Sequence, residues 1–170
     1  MDINIPTVVL TKPLYSVGIS IKVTAKIYTD GSCKDGEGGW SACLFYKTDS
    51  LFIADRDSET TNNRMELTAV IEALSRLIIP CYVILYSDSK YVLDGMQYMY
   101  AWNTRKWKTK DGRDVSNADL WKKMIEVCEK GGHSIKKRWI KGHTGNINNE
   151  TCDSLAKYIR DHPEMVNQIR

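Results

Sequence analysis

The chain has 170 residues, 42% of them hydrophobic and 26% charged, enough for one domain with a real core and too few for two comfortable ones. That balance excludes a disordered chain, and no stretch approaches the roughly 20 apolar residues of a membrane span. With a net charge of only +3, any affinity for nucleic acid must come from a local patch and not from the bulk balance.

Five cysteines, Cys33, Cys43, Cys81, Cys128 and Cys152, are dispersed without a CxxC pair. They read as small buried hydrophobes in a reducing compartment, the cytoplasm, and not as a disulfide framework or zinc site. The first residues do not read as a signal peptide, because Asp2 stands where a basic region would and Pro6, Lys12 and Pro13 interrupt the apolar runs. The Asn149-Glu150-Thr151 sequon is expected to be a chance match.

In chain order, residues 1–22 carry no identifiable chemistry. Residues 7–10 and 17–21 could be an added strand pair or a loosely held extension. A β-rich run over 23–29 leads to Asp30, and a turn rich in glycine (Gly36, Gly38, Gly39) returns the chain into 40–46, apolar on both faces as a central strand would be. Residues 50–55 make a third strand, completing an antiparallel meander. Asn62 or Asn63 can cap a helix over 64–77, closed by Pro80. Residues 82–86 are nearly all apolar, the mark of a strand buried on both sides. Helices follow over 89–100 and 117–130, then a strand over 134–141 and a helix over 148–160. The order βββαβααβα predicts an α/β sheet flanked by helices.

Asp30 and Asp88 each follow a strand of core character, which places them at strand ends, where open α/β sheets put their sites. Either alone is as easily a turn former or helix cap. Glu66 says more, because at about 100° per residue it falls in line with Val70, Ala73 and Leu77 on a buried stripe. A carboxylate there needs a positive partner: a buried salt bridge, or a metal ion shared with Asp30 and Asp88. An all-oxygen donor set favours Mg²⁺ or Mn²⁺ over zinc. Asp153 shares its helix face with Lys157 and Arg160, so an ion pair is its simplest role. His143 lies in a loop between Gly142 and Gly145 that reads as mobile, where an imidazole can take or deliver a proton.

Residues 102–113 interleave Arg105, Lys106, Lys108, Lys110 and Arg113 with Trp102 and Trp107, opposed within the segment by Asp111 alone. This is either a phosphate-and-sugar surface or a solvated loop with its tryptophans docked in the core.

With these parts in place, residues 26–160 resemble cellular type 1 ribonucleases H along nearly their full length. The motifs that carry the resemblance are Thr29-Asp30-Gly31-Ser32, Thr61-Asn62-Asn63-Arg64-Met65-Glu66-Leu67, Asp88-Ser89, and Gly142-His143 with Asp153. The basic segment stands at the position of the family's basic protrusion. The resemblance implies a ribonuclease H-like fold with a five-stranded mixed sheet, and endonucleolytic cleavage of the RNA strand of an RNA–DNA hybrid, leaving 3′-hydroxyl and 5′-phosphate ends. It implies Asp30, Glu66, Asp88 and Asp153 as ligands of two Mg²⁺ ions bound with substrate, Mn²⁺ as a possible substitute, and His143 as an aid to proton transfer or product release. Asn62 and Asn63 are expected near the hybrid's minor groove and Thr61 and Asn117 at a DNA phosphate. Trp102, Arg105, Lys106, Trp107, Lys108 and Lys110 are expected on the protrusion. The corresponding domain boundaries are an extension over 1–25, a catalytic domain over 26–162 and a tail over 163–170. No membrane and no obligate protein partner are expected, and the chain should be a monomer. Primer removal and R-loop clearance both remain open as its cellular task.

Four positions depart from the family pattern: the shortened turn over 33–39, Glu59 where a basic residue is common, Lys90 for glutamine, and Met99 for a tryptophan. They bear on affinity and site preference. Two other readings are a non-catalytic nucleic-acid-binding module on the same fold and the ribonuclease H portion of a reverse transcriptase. A pure binding module has no need of four carboxylates that repel phosphate.

Overall fold

The computed structural model describes residues 23–165. The expected strand pair or extension within 1–22, and residues 166–170 of the tail, lie outside the described residues. Three strands, β1 (Val23–Lys34), β2 (Glu37–Tyr46) and β3 (Asp49–Asp57), are followed by α1 (Asn62–Ser75) and β4 (Cys81–Ser87). Helices α2 (Lys90–Thr104) and α3 (Ala118–Gly131), strand β5 (Ser134–Trp139), helix α4 (Ile147–Asp161) and a 3₁₀ turn (Pro163–Met165) complete the order. The sheet runs β3-β2-β1-β4-β5, with β1, β2 and β3 antiparallel and β4 and β5 added in parallel. This is the five-stranded mixed sheet expected from the sequence.

Several boundaries differ from expectation for local reasons. β1 does not stop before Asp30 but runs through it, because the connection to β2 is only the Asp35–Gly36 turn, with both residues left-handed (φ 52° and 83°). Gly38 and Gly39 belong to β2 itself. Thr61, not an asparagine, caps α1: its backbone is extended and its hydroxyl accepts the Arg64 N–H at 3.4 Å. Helix α2 continues past Tyr100 to Thr104 and so takes in Trp102.

One side of the sheet packs against α1, with α2 and α3 beyond it, around Ile27, Leu67, Ile71, Leu74, Leu85 and Trp121. Helix α4 lies against β1, β2 and β3 and covers a smaller cluster of Tyr28, Cys43 and Cys152. Because α4 leaves the β4–β5 half largely uncovered, β4 is not buried on both sides. Val83 and Leu85 are buried, whereas Tyr82 is 36% exposed. Among the described residues no helix is long and apolar enough to cross a membrane. All five cysteines are free thiols, and Cys43, Cys81 and Cys152 are buried.

Candidate active site

Parallel pairing of β1 with β4 reaches its last matched residues at Tyr28 and Tyr86. Asp30 and Asp88 each stand two residues further along, so the same strand register delivers both to one end of the sheet. Helix α1 crosses there, its buried stripe bringing Glu66 against β1. One carboxylate oxygen from each of Asp30, Glu66 and Asp88 lies within 4.8 Å of the others. The metal alternative for Glu66 gains support from this grouping, since no cation from the protein pairs with any of the three among the described ion pairs.

Asp30 and Glu66 are 5% and 7% exposed. Glu66 Oε1 accepts from the Asn62 amide at 3.2 Å, while its Oε2 is buried without a hydrogen-bond partner. Burial, and then the charges of Asp30 and Asp88, push the Glu66 carboxyl up to about 9, which Asn62 and the nearby Ser89 hydroxyl offset only in part. Burial, with Asp88 and Asp153 beside it, pushes Asp30 up to about 8, against the pull of the Gly31 N–H on Oδ1. An all-carboxylate donor set with an orphaned buried oxygen fits a hard divalent cation, which would supply the missing positive charge.

These shifts carry a pH signature. Both folded values lie above the ordinary carboxylate value of about 4, so without metal the folded state holds more protons than the unfolded chain. Stability from these groups is full below about pH 4 and is lost as pH rises through about 8–9. In EDTA, therefore, the parent should lose thermal stability between pH 5 and 9, and Glu66→Gln should lose less. At pH 8 the variant should melt higher, by roughly 2–4 °C for each ~1 kcal/mol of repulsion removed. Superimposable melting curves across that range would show that the carboxylates do not share one field.

Asp153, in the first half of α4, is half-buried and stands outside the tight triad. Its Oδ2 takes Lys157 Nζ at 2.7 Å, the helical ion pair expected from spacing. The same oxygen lies 3.9 Å from His143 Nδ1, and its charge reaches Asp30. Arg160 does not join this pair; it bonds Asp161 and the Ser32 hydroxyl instead. The His143 side chain is 73% exposed, in a left-handed backbone conformation (φ 54°).

The RNase H family model matches residues 22–160 of the chain. The chain belongs to the ribonuclease H family. It is 48% identical over 134 residues to a Shewanella halifaxensis ribonuclease H, covering 77% of this chain and 82% of that one. A Haemophilus influenzae ribonuclease H is 43% identical over 143 residues, covering 82% and 92%. Among solved structures, a type 1 ribonuclease H described as carrying the type 2 active-site motif superposes with a TM-score of 0.71 at 31% identity, covering 82% of this chain and 73% of that one. The foamy viral protease-reverse transcriptase, solved with an RNA/DNA hybrid, shares the fold at 18% identity and a TM-score of 0.66, covering 92% of this chain and 22% of that one. Ribonuclease H membership implies divalent-metal dependence, and the carboxylate cluster is compatible with it.

Within this ribonuclease H fold, the residues singled out for substrate divide into groups. Asn62 and Asn63 are both exposed, and the Asn62 amide also bridges the Cys33 N–H and Glu66. Thr61 caps α1, Asn117 precedes α3 in a left-handed conformation without a capping hydrogen bond from its side chain, and Arg64 links these helix starts. It bonds Asn117 Oδ1 at 3.3 Å and holds Asp119 through both carboxylate oxygens. Sequence reasoning missed Arg64, because its partners lie 53 and 55 residues away.

The tryptophans of the basic segment pack inward more than expected. Trp102 stacks edge-on against the buried Trp121 at 5.6 Å, and both Trp102 and Trp107 rest on the main core. Large rings turned toward the core, Trp102 from the last turn of α2 and Trp107 from the segment after it, bury more apolar area there than at a rim. Lys108 pairs with Asp114 at 2.5 Å, while Arg105, Lys106 and Lys110 are exposed without an ion-pair partner among the described residues. Met99 is buried in the same core, filling space below the segment.

Proposed function

We propose that this ribonuclease H cuts the RNA strand of RNA–DNA hybrids endonucleolytically, leaving 3′-hydroxyl and 5′-phosphate ends. Asp30, Glu66, Asp88 and Asp153 hold two Mg²⁺ ions once hybrid is bound, and Mn²⁺ can substitute. The observation that carries this reading is the convergence of three carboxylates around a buried Glu66 oxygen with no partner. Bound divalent cations there neutralise phosphate charge and make a water more acidic. The protein's own groups do the rest. Asp30 and Glu66, fixed by strand and helix, keep the acidic cluster rigid, and burial excludes bulk water around them. His143, beside Asp153, takes or delivers the proton of the cleavage step. Asn62 and Asn63 meet the minor groove, while Thr61 and Asn117, joined through Arg64, meet a DNA phosphate. The catalytic domain spans residues 26–162, and the chain works as a monomer in the cytoplasm, a reducing compartment with which its free thiols are compatible.

Labelled hybrid, RNA duplex and DNA duplex, each incubated with and without Mg²⁺, test this. Only the RNA strand of the hybrid should be cut, and only with metal. Binding without cleavage would support the non-catalytic module instead.

The basic segment contributes grip. Replacing Arg105, Lys106, Lys108 and Lys110 with alanine should raise KM for hybrid far more than it lowers kcat, because these charges lie away from the carboxylates and bind ground and transition states alike. The salt dependence of KM should become shallower by roughly one unit of log K per log salt for each phosphate that is no longer neutralised. Parallel salt curves for the two proteins would assign hybrid binding to another surface.

A further inference from the structure

The residue that ends β5, Trp139, is 52% exposed, an unusual place for a tryptophan with a satisfied indole. Its Nε1–H donates to the backbone carbonyl of Asp88 at 3.1 Å. That carbonyl stands in a gap between two regular elements. The β4–β5 ladder ends with Ser87 opposite Trp139, and the first helical bond of α2 is Leu93 N–H to the Ser89 carbonyl. Neither ladder nor helix therefore holds the Asp88 peptide. The same peptide is held on its other side by a side chain, Ser89 N–H donating to the Ser87 hydroxyl, and the preceding peptide is tied by the Ser87 carbonyl, which accepts from Ile140 N–H.

A second contact comes from the same segment. Gly142 backs against the Asp88 carboxylate so closely that a Cβ there would lie 2.6 Å from Oδ2. Outside, Lys90 Nζ sits 5.3 Å from the centroid of the Trp139 ring, a cation–π contact that holds the indole over the start of α2. Trp139 and Gly142 thus close on Asp88 from its backbone and its carboxylate.

We propose that Trp139 is a positioning residue for hybrid cleavage: its indole N–H fixes the Asp88 peptide and so aims the Asp88 carboxylate at the Asp30–Glu66 pair. The inference rests on the reading of Asp88 as a metal-site carboxylate. The ring's exposure is compatible with its task, since the atom that matters is the N–H bonded to the Asp88 carbonyl, while Lys90 lies over the ring face.

The test removes the donor and keeps the shape. Trp139→Phe retains an aromatic ring, and β-(3-benzothienyl)alanine at position 139 keeps the bicyclic outline with sulfur in place of N–H. Losing one aligned hydrogen bond should lower kcat by roughly five- to tenfold in both variants, with KM for hybrid unchanged. A readout independent of turnover is Mn²⁺ binding by the substrate-free protein, followed through the electron paramagnetic resonance signal of free Mn²⁺. Its affinity should weaken in both variants, while their far-ultraviolet circular dichroism matches the parent. Asp88→Asn runs alongside. If Asp88→Asn stayed active, the metal-site reading of Asp88 would fall. If it were inactive while both Trp139 variants matched the parent in kcat and Mn²⁺ affinity, the positioning role alone would fall. A raised KM with unchanged kcat would also overturn it, making Trp139 a substrate-binding residue.

Discussion

Asp30→Asn and Asp88→Asn should each abolish hybrid cleavage and leave the fold intact. Both side chains stand where the parallel β1–β4 pairing ends, and each offers an oxygen to the same cluster. Asparagine keeps the shape and removes the charge that holds a cation. A loss of about 4 kcal/mol of transition-state stabilisation corresponds to roughly a thousandfold in rate, well below what an assay of labelled hybrid would score as partial activity. Retention of more than about a tenth of the parental rate, a cost of under ~1.4 kcal/mol, would remove that residue from the metal site. Stability should move the other way. Burial, and then the charges of Asp88 and Asp153, hold the Asp30 carboxyl up at about 8. Asp30→Asn should therefore melt above the parent at pH 8 in EDTA, and the gap should close as Mg²⁺ is added to both.

Gly31→Ala should damage stability and activity together. Gly31 lies where β1 passes closest to α1: an added Cβ would sit 2.3 Å from the Glu66 backbone nitrogen and 2.6 Å from the Met65 carbonyl carbon. Both are main-chain atoms, so no side chain can rotate away and the helix itself must shift. Overpacking of this kind costs about 1–3 kcal/mol, or roughly 2–4 °C in Tm per ~1 kcal/mol for a chain of this size. The shift carries Glu66 away from Asp30, so cleavage should fall by more than the loss of folded protein explains. Thermal unfolding and specific activity, both measured well below the variant's Tm, separate the two effects. A variant equal to the parent in both would show that this backbone approach does not set the Asp30–Glu66 spacing.

What was legible in the chain, and what was not, follows the range of the interactions concerned. Asp88 just past the end of β4, and Glu66 in line with Val70, Ala73 and Leu77, were readable because side-chain direction repeats with local backbone geometry, whereas Asp30 lies inside β1 and not at its end. The element order followed from the same periodicities, and the family motifs are short contiguous runs. The four-carboxylate assignment was less complete. The structure groups three of them tightly and leaves Asp153 at the edge, shared with Lys157 and near His143.

Other features depended on packing. Neither Asn62 nor Asn63, the two caps expected from the sequence, caps α1; Thr61 does, and Asn62 turns to bridge Cys33 and Glu66. Whether Trp102 and Trp107 line a rim or a core was decided by the main core on which both rest, where α3 brings Trp121 against Trp102. The link from Arg64 to Asn117 and Asp119, and that from Trp139 to Asp88, join residues more than 50 positions apart. No local period encodes such pairs. The amino-acid sequence by itself determined which elements form and the buried stripe of α1, but not that one face of β4 stays partly open. Only the tertiary structure decided which polar groups meet across those elements, because a hydrogen bond of a few ångströms depends on how whole strands and helices dock.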